Sequence, residues 1–226
     1  MVRSRGQRRV VGAGLVPAAL LMGVLSGCSS EPKPDRPAGA AKTTAKDRAK
    51  DGAKDTAKTG TPTAAKGGTV GGAGSPCALP VSFDLAADWK PKAVRDDPTF
   101  GLTKQGPVTL VCEIDAKPAG HIGFIRVWTG GAGGDDPRKA LEAFVAEEAK
   151  SRDKVVYSQT KAGEYAAAEV NYLNTNEFLD EPKKERALAF TTGKGVVVVH
   201  LGGLDSEEHE AMLPAYELAR KSVRNA

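Results

Sequence analysis

Three cysteines (Cys28, Cys77, Cys112) and three histidines (His121, His200, His209) hold most of the nucleophilic and metal-binding capacity of this 226-residue chain. No two of the histidines stand at ligand spacing, and no Cys-x-x-Cys pair accompanies them. Ser151-Arg152-Asp153-Lys154 has the Ser-x-x-Lys spacing in which a lysine activates a serine for acyl transfer. It falls at the end of an expected helix, no Ser-Asp-Asn follows, and the only Lys-Thr-Gly, Lys58-Thr59-Gly60, lies upstream. The glycines at 130, 131, 133 and 134 precede a helix as phosphate-cradling loops do, but Asp135 and Asp136 would set two negative charges where a phosphate binds. A flexible turn is the expectation there. His200 is expected to end a central strand, and His209 to lie on an exposed helical turn flanked by glutamates. Glu169 lies on an expected strand and Glu185 just ahead of another, and nothing pairs them as acid and base rather than as residues of solvated faces. The expectation is no catalytic residue, no metal, no cofactor and no enzymatic activity.

The strongest chemical signal is at the N-terminal end. Arg3, Arg5, Arg8 and Arg9 precede an apolar run over 10–24 that is broken by Gly12, Gly14, Pro17 and Gly23. That is the layout of an export signal, and the run is too short to span a bilayer comfortably. Val24-Leu25-Ser26-Gly27-Cys28 resembles the lipobox of bacterial lipoproteins, which implies that diacylglycerol alkylates the Cys28 thiol and that the chain is cut just before it. Residues 1–27 are then a signal peptide, and Cys28 carries the acyl (palmitate-type) anchor. Acyl chains contribute about 0.8 kcal/mol per buried methylene, so two or more hold a protein on a membrane. The alternatives are an ordinary signal peptide with a chance cysteine, or a buried helix. Arg8-Arg9 matches a twin-arginine signal in the arginine pair alone, which leaves the Sec and twin-arginine routes both open.

Charge changes sign along the chain. Residues 1–28 carry four basic and no acidic side chains, residues 29–76 nine and five, and residues 77–226 nineteen and twenty-three. The whole-chain value of +4 therefore says nothing for nucleic-acid binding by the C-terminal part, and no nucleic-acid partner is expected. Residues 28–76 are rich in Ala, Lys, Thr, Gly and Pro, with Val70 the only bulky aliphatic side chain. Such a composition offers no core to offset the entropy of ordering, so a disordered tether is expected. As a coil it would span about 40 Å. Ala-Lys recurs every four residues from 41 to 58, which either spaces the domain from the membrane or also associates with anionic cell-wall polymers.

Residues 77–226 suffice for one core. In an exported protein Cys77 and Cys112 are expected to form a disulfide; two free thiols or half of a metal site are the alternatives. Strands are expected over 81–85, over 108–115 with Val108, Leu110, Cys112 and Ile114 on one apolar face, and over 121–129. Asp135-Asp136-Pro137 starts a helix carrying Ala140, Leu141, Phe144, Val145 and Ala149 inward. Two hairpins follow, around Gly163 and around Gly193-Lys194. Residues 196–199 are apolar on both sides of the pleat, which marks a central strand. Ala166, Ala168, Ala187 and Ala189 leave room for a helix to approach. A last helix starts at Asp205, with Glu208 at capping-box spacing, and turns Met212, Leu213, Tyr216, Ala219 and Val223 inward.

This order, with Phe83/Trp89 early and 219–224 closing the chain, resembles the LpqN/LpqT-type lipoproteins of actinobacteria. The resemblance implies an α+β fold in which a mostly antiparallel sheet is sandwiched by helices, the Mog1/PsbP-like α/β/α arrangement, and a surface-tethered module with no catalytic residues. The loop over 174–184 presents Phe178 and Leu179 among charges, either as a partner-binding loop or as a lid folded on the sheet. The expected function is a membrane-anchored lipoprotein on the extracytoplasmic face of the cell membrane, presenting a non-catalytic binding module at the cell envelope to an unidentified protein or small molecule. The rivals are a cell-envelope hydrolase with a dispersed active site and an envelope assembly factor.

Overall fold

The computed structural model describes residues 63–95, 103–132, 136–175 and 181–226. All of them belong to the unit Thr56–Ala226; the chain's other unit is Met1–Asp55. In chain order the elements are β1 (Lys66–Val70), β2 (Val81–Ala86), β3 (Lys90–Ala93), β4 (Lys104–Gln105), β5 (Val108–Asp115), β6 (Gly123–Gly130), α1 (Pro137–Glu148), β7 (Arg152–Ala162), β8 (Tyr165–Asn174), β9 (Lys183–Thr192), β10 (Gly195–Gly203), α2 (Ser206–Lys221) and β11 (Arg224–Asn225).

Eight strands form one sheet in the order β3-β5-β6-β10-β9-β8-β7, with β4 also pairing β5. A second sheet has the order β1-β2-β11. Every pairing is antiparallel. The expected layering of helices on both sides of the sheet is therefore corrected: strands dominate, and only two α-helices occur among the described residues. One face of the large sheet carries α1 alone, and the other is shared by α2 and the three-stranded sheet. A helix of twelve residues covers only part of an eight-stranded face, so the fold is a β-rich one rather than a helix-sheet-helix sandwich.

The central strand explains itself. All nine residues of β10 are buried, because β6 and β9 flank it and cores lie on both sides. Val196 and Val198 join the core under α1, whereas Val197, Val199 and Leu201 join the core under α2. Ala168, Ala187 and Ala189 lie in the α1-side core as expected, but Ala166 is exposed. Asp136 caps α1 by accepting from the backbone N–H groups of Arg138 and Lys139, with Pro137 in the first turn. Asp205 caps α2 in the same way from Glu207 and Glu208. Each cap satisfies N–H groups that have no partner inside the helix.

Two features depart from the expected pattern. The β5–β6 register shifts between Leu110 and Cys112. A bulge of this kind reverses which face the following residues point to: Val108 and Leu110 pack under α1, but Cys112 and Ile114 pack in the opposite core. The fold also begins earlier than Cys77. Lys66–Val70 is a strand paired with β2, and Val70, opposite Phe83, is fully buried. Gly71 has φ +83°, and a Cβ there would lie 2.0 Å from the Val81 carbonyl oxygen, so a residue that reads as tether composition meets a specific steric demand. The Cys77–Cys112 disulfide, with Cα atoms 5.7 Å apart, joins the segment ahead of β2 to β5.

Candidate functional site

Antiparallel register sets a row of side chains across the face that carries α1. Lys92, Glu113, Arg126, His200 and Ala187 are successive partners on β3, β5, β6, β10 and β9. The next row along holds Phe124, Gly202, Glu185 and Tyr172. α1 covers the neighbouring apolar rows through Leu141, Phe144 and Val145 and ends at Glu148. The polar rows lie beyond it and form the floor of two clefts.

The larger cleft has a volume of about 580 Å³ and is lined by Lys92, Arg95, Gln105, Leu110 and Trp128 among others. The smaller, about 310 Å³, is lined by Ile122, Phe124, Lys183, Glu185 and His200 among others. Arg126 and Glu148 line both, so the two form one groove. Arg126 Nε donates to Glu113 Oε2 at 2.9 Å, and its guanidinium lies over the Phe124 ring, 4.8 Å from the centroid. Ile122 and Leu204, two of the large apolar side chains exposed among the described residues, stand at the smaller cleft, with the Leu204 N–H bonded to the Ile122 carbonyl.

A buried charged cluster forms the inner wall. Glu185 Oε2 lies 2.9 Å from His200 Nε2, and Lys183 Nζ donates to Glu185 Oε1 at 2.8 Å and to the Gly203 carbonyl at 2.8 Å. Burial pushes the Glu185 carboxyl upward, but His200 and Lys183 outweigh it and hold it below the ordinary glutamate value. Tyr172 Oη is 3.5 Å from His200 Nε2. Burial and the Glu185 charge push its phenol well above the usual range, so it stays a neutral hydroxyl. A Cβ at Gly202 would come within 3.2 Å of both Glu185 Oε2 and His200 Cε1, so the missing side chain gives the pair its room.

This arrangement can hold a proton and a charge, and Thr103 is the one hydroxyl side chain that lines either cleft among the described residues. Neither cleft is lined by a serine or cysteine among the described residues. The His200 nitrogen that faces Glu185 is occupied, and its Nδ1 is buried without a partner among the described residues. A histidine-carboxylate pair activates a hydroxyl only when the other ring nitrogen reaches it. No group of three or more His, Cys, Asp or Glu side chains among the described residues could hold a metal ion. Ser151 and Lys154 are exposed at the start of β7.

His209 corrects its expected exposure. It is 3% exposed on α2, its Nδ1 has no partner among the described residues, and burial lowers its pKa to about 4 despite the nearby Glu185 and Glu210. The glutamates on either side are its sequence neighbours. The residues three, four and seven positions on, Met212, Leu213 and Tyr216, are buried as well, which puts His209 on the buried stripe.

A family model described as an uncharacterised lipoprotein matches residues 47–223. The chain belongs to that lipoprotein family. No curated protein matches it. The match spans all the described elements up to α2 of this lipoprotein and part of the expected tether. It does not reach the finer LpqN/LpqT type. Cys28, Phe178 and Leu179 lie outside the described residues. No helix among the described residues of the lipoprotein is long and apolar enough to cross a membrane. Arg126, which sequence reasoning missed, and Glu185 and His200, which it weighed without bringing them together, do leave a trace. Each is a charged or polar residue inside or at the end of a strand whose alternation or apolar run predicts burial.

Proposed function

We propose that this lipoprotein is held on the extracytoplasmic face of the cell membrane through an acyl anchor on Cys28 and presents a non-catalytic binding module at the cell envelope. The likeness to LpqN/LpqT-type lipoproteins belongs to this reading, as does association of the Ala-Lys tether with anionic wall polymers. The observation that carries it is the groove past the end of α1, whose two clefts share Arg126 and Glu148 and whose walls hold the charge pairs Arg126–Glu113 and Lys183–Glu185, with no serine or cysteine lining either cleft among the described residues. Concave, partly apolar sites with a few convergent polar groups are where small ligands bind.

Native mass spectrometry of the protein purified from its own host tests this. A bound mass that denaturation releases, with unchanged identity, supports a binding module. Protein that is empty and without any partner after mild crosslinking counts against it. The His200–Glu185 pair lining the smaller cleft favours a second reading, an envelope hydrolase. Under that reading the released mass is a cleaved product, and His200→Asn stops its formation.

A further inference from the structure

Trp128 forms part of the wall of the larger cleft, is 2% exposed, and packs edge-on against Phe144 with centroids 5.3 Å apart. Its indole N–H is buried and has no hydrogen-bond partner among the described residues. An unmade hydrogen bond on a buried donor is costly, and the indole nitrogen has no acceptor role to fall back on. The cleft is also electrically lopsided. Arg126 and Glu113 neutralise each other. Lys92 and Arg95 are exposed, line only the larger cleft, and make no ion pair among the described residues. Glu148, without an ion pair there either, stands where the clefts meet. An anionic group is therefore attracted toward Lys92 and Arg95 and repelled from the junction. Val94, Leu110 and the Trp128 ring supply an apolar surface in between.

We propose that the larger cleft binds a small amphipathic organic carboxylate, its charge between Lys92 and Arg95, its apolar body on Leu110 and Trp128, and an acceptor atom on the Trp128 indole N–H. The volume of about 580 Å³ suits a ligand of fused-ring or short acyl size. The proposal rests on the reading of the groove as a binding site and adds the class of ligand.

The test uses the full chain carrying Cys28→Ser, which removes the expected acylation and changes none of the described residues. It is labelled with nitrogen-15 and titrated with three isosteric probes: 2-naphthoate, 2-naphthalenemethanol and 2-naphthylmethylammonium. The chain has two tryptophans, so two indole N–H resonances report. Trp89 lies in the opposite core and serves as the internal reference. Naphthoate should shift the Trp128 indole resonance downfield and leave Trp89 in place. The alcohol should bind about tenfold more weakly and the ammonium more weakly still, because a charge-assisted bond is roughly twice a neutral one. Lys92→Ala/Arg95→Ala, two exposed sites, should bring naphthoate down to the affinity of the alcohol. Equal binding of all three probes at the cleft overturns the anion preference and leaves the binding module standing. Binding that never moves the Trp128 resonance overturns its role. No probe shifting any resonance of the groove overturns both the ligand class and the site.

Discussion

Glu185 Oε2 and His200 Nε2 lie 2.9 Å apart with both side chains 1% exposed. They come from neighbouring strands, but not from directly opposed positions: Glu185 is opposite Gly202, and His200 opposite Ala187. The bond is therefore a diagonal, and it exists because Gly202 leaves space beside it. Lys183 supplies the second charge from two residues earlier on the same strand. A buried carboxylate with two cationic or hydrogen-bonding partners is fixed in place, and with it the inner wall of the groove.

Removing that carboxylate should be costly. Glu185→Ala leaves His200 and Lys183 without their shared acceptor, and loss of one member of a buried pair typically destabilises by about 3 kcal/mol. Glu185→Gln keeps the shape and one acceptor oxygen, so about 1–2 kcal/mol is expected. Urea unfolding followed by tryptophan emission separates the two. Both variants within about 0.5 kcal/mol of the parent would place this pair among surface interactions.

The disulfide is the next test. Closing a loop over a separation of 35 residues stabilises by about 3–4 kcal/mol in the chain-entropy model. Cys77→Ala/Cys112→Ala should lower the urea midpoint accordingly. Both cysteines are fully buried, so a reductant should act on the native protein only at the rate at which it opens. Rapid reduction without denaturant would show that this corner of the fold is open in solution.

The early start of the fold can be tested at Val70 and Gly71. Val70→Ala removes two methyl groups from a fully buried position, for about 2 kcal/mol. Gly71→Ala should cost more, since the Cβ would collide with Val81. Gly72→Ala is the control: it has the same φ of +83° but nothing within 4 Å of its Cβ, so about 1 kcal/mol of backbone strain is expected. If none of the three affects the melting temperature, β1 is not part of the cooperative unit.

These positions show which information the sequence carries. Residues 108–115, the Asp136 and Asp205 caps and the apolar run of β10 are local signals, and each appears where periodicity and capping place it. The bulge after Leu110 is not local. It sends Cys112 to the other core and is set by pairing with β6. β1 was hidden for a related reason: its stability comes from its ladder with β2 and from one valine, whereas composition counts only side chains. The groove depends on cross-strand register, which brings Lys92, Glu113, Arg126 and His200 into line from four strands. No spacing within one strand encodes that row. Two α-helices among the described residues are too few to layer a sheet of eight strands, and recognising that required knowing how many of the irregular segments pair.

His209 gives the last prediction, a pH dependence with a definite sign. Its pKa falls from 6.5 to about 4 on folding, so between these values the unfolded chain holds a proton that the native state refuses. The stabilisation is fully present above pH 6.5 and is lost as pH falls toward 4. A shift of that size corresponds to about 3 kcal/mol at 1.36 kcal/mol per pH unit. Glu185, whose folded value is also depressed, adds its own loss only below its ordinary value of 4.5, so the two separate along the pH axis. His209→Gln keeps a polar side chain of similar reach that does not titrate. The variant should be less stable than the parent at pH 8 and should show a nearly flat urea midpoint from pH 6.5 to 5, where the parent declines. A parent whose midpoint is equally flat across that interval would mean that His209 takes up its proton in the folded state, and with it that the α2 face beside Glu185 is wetter than its burial implies.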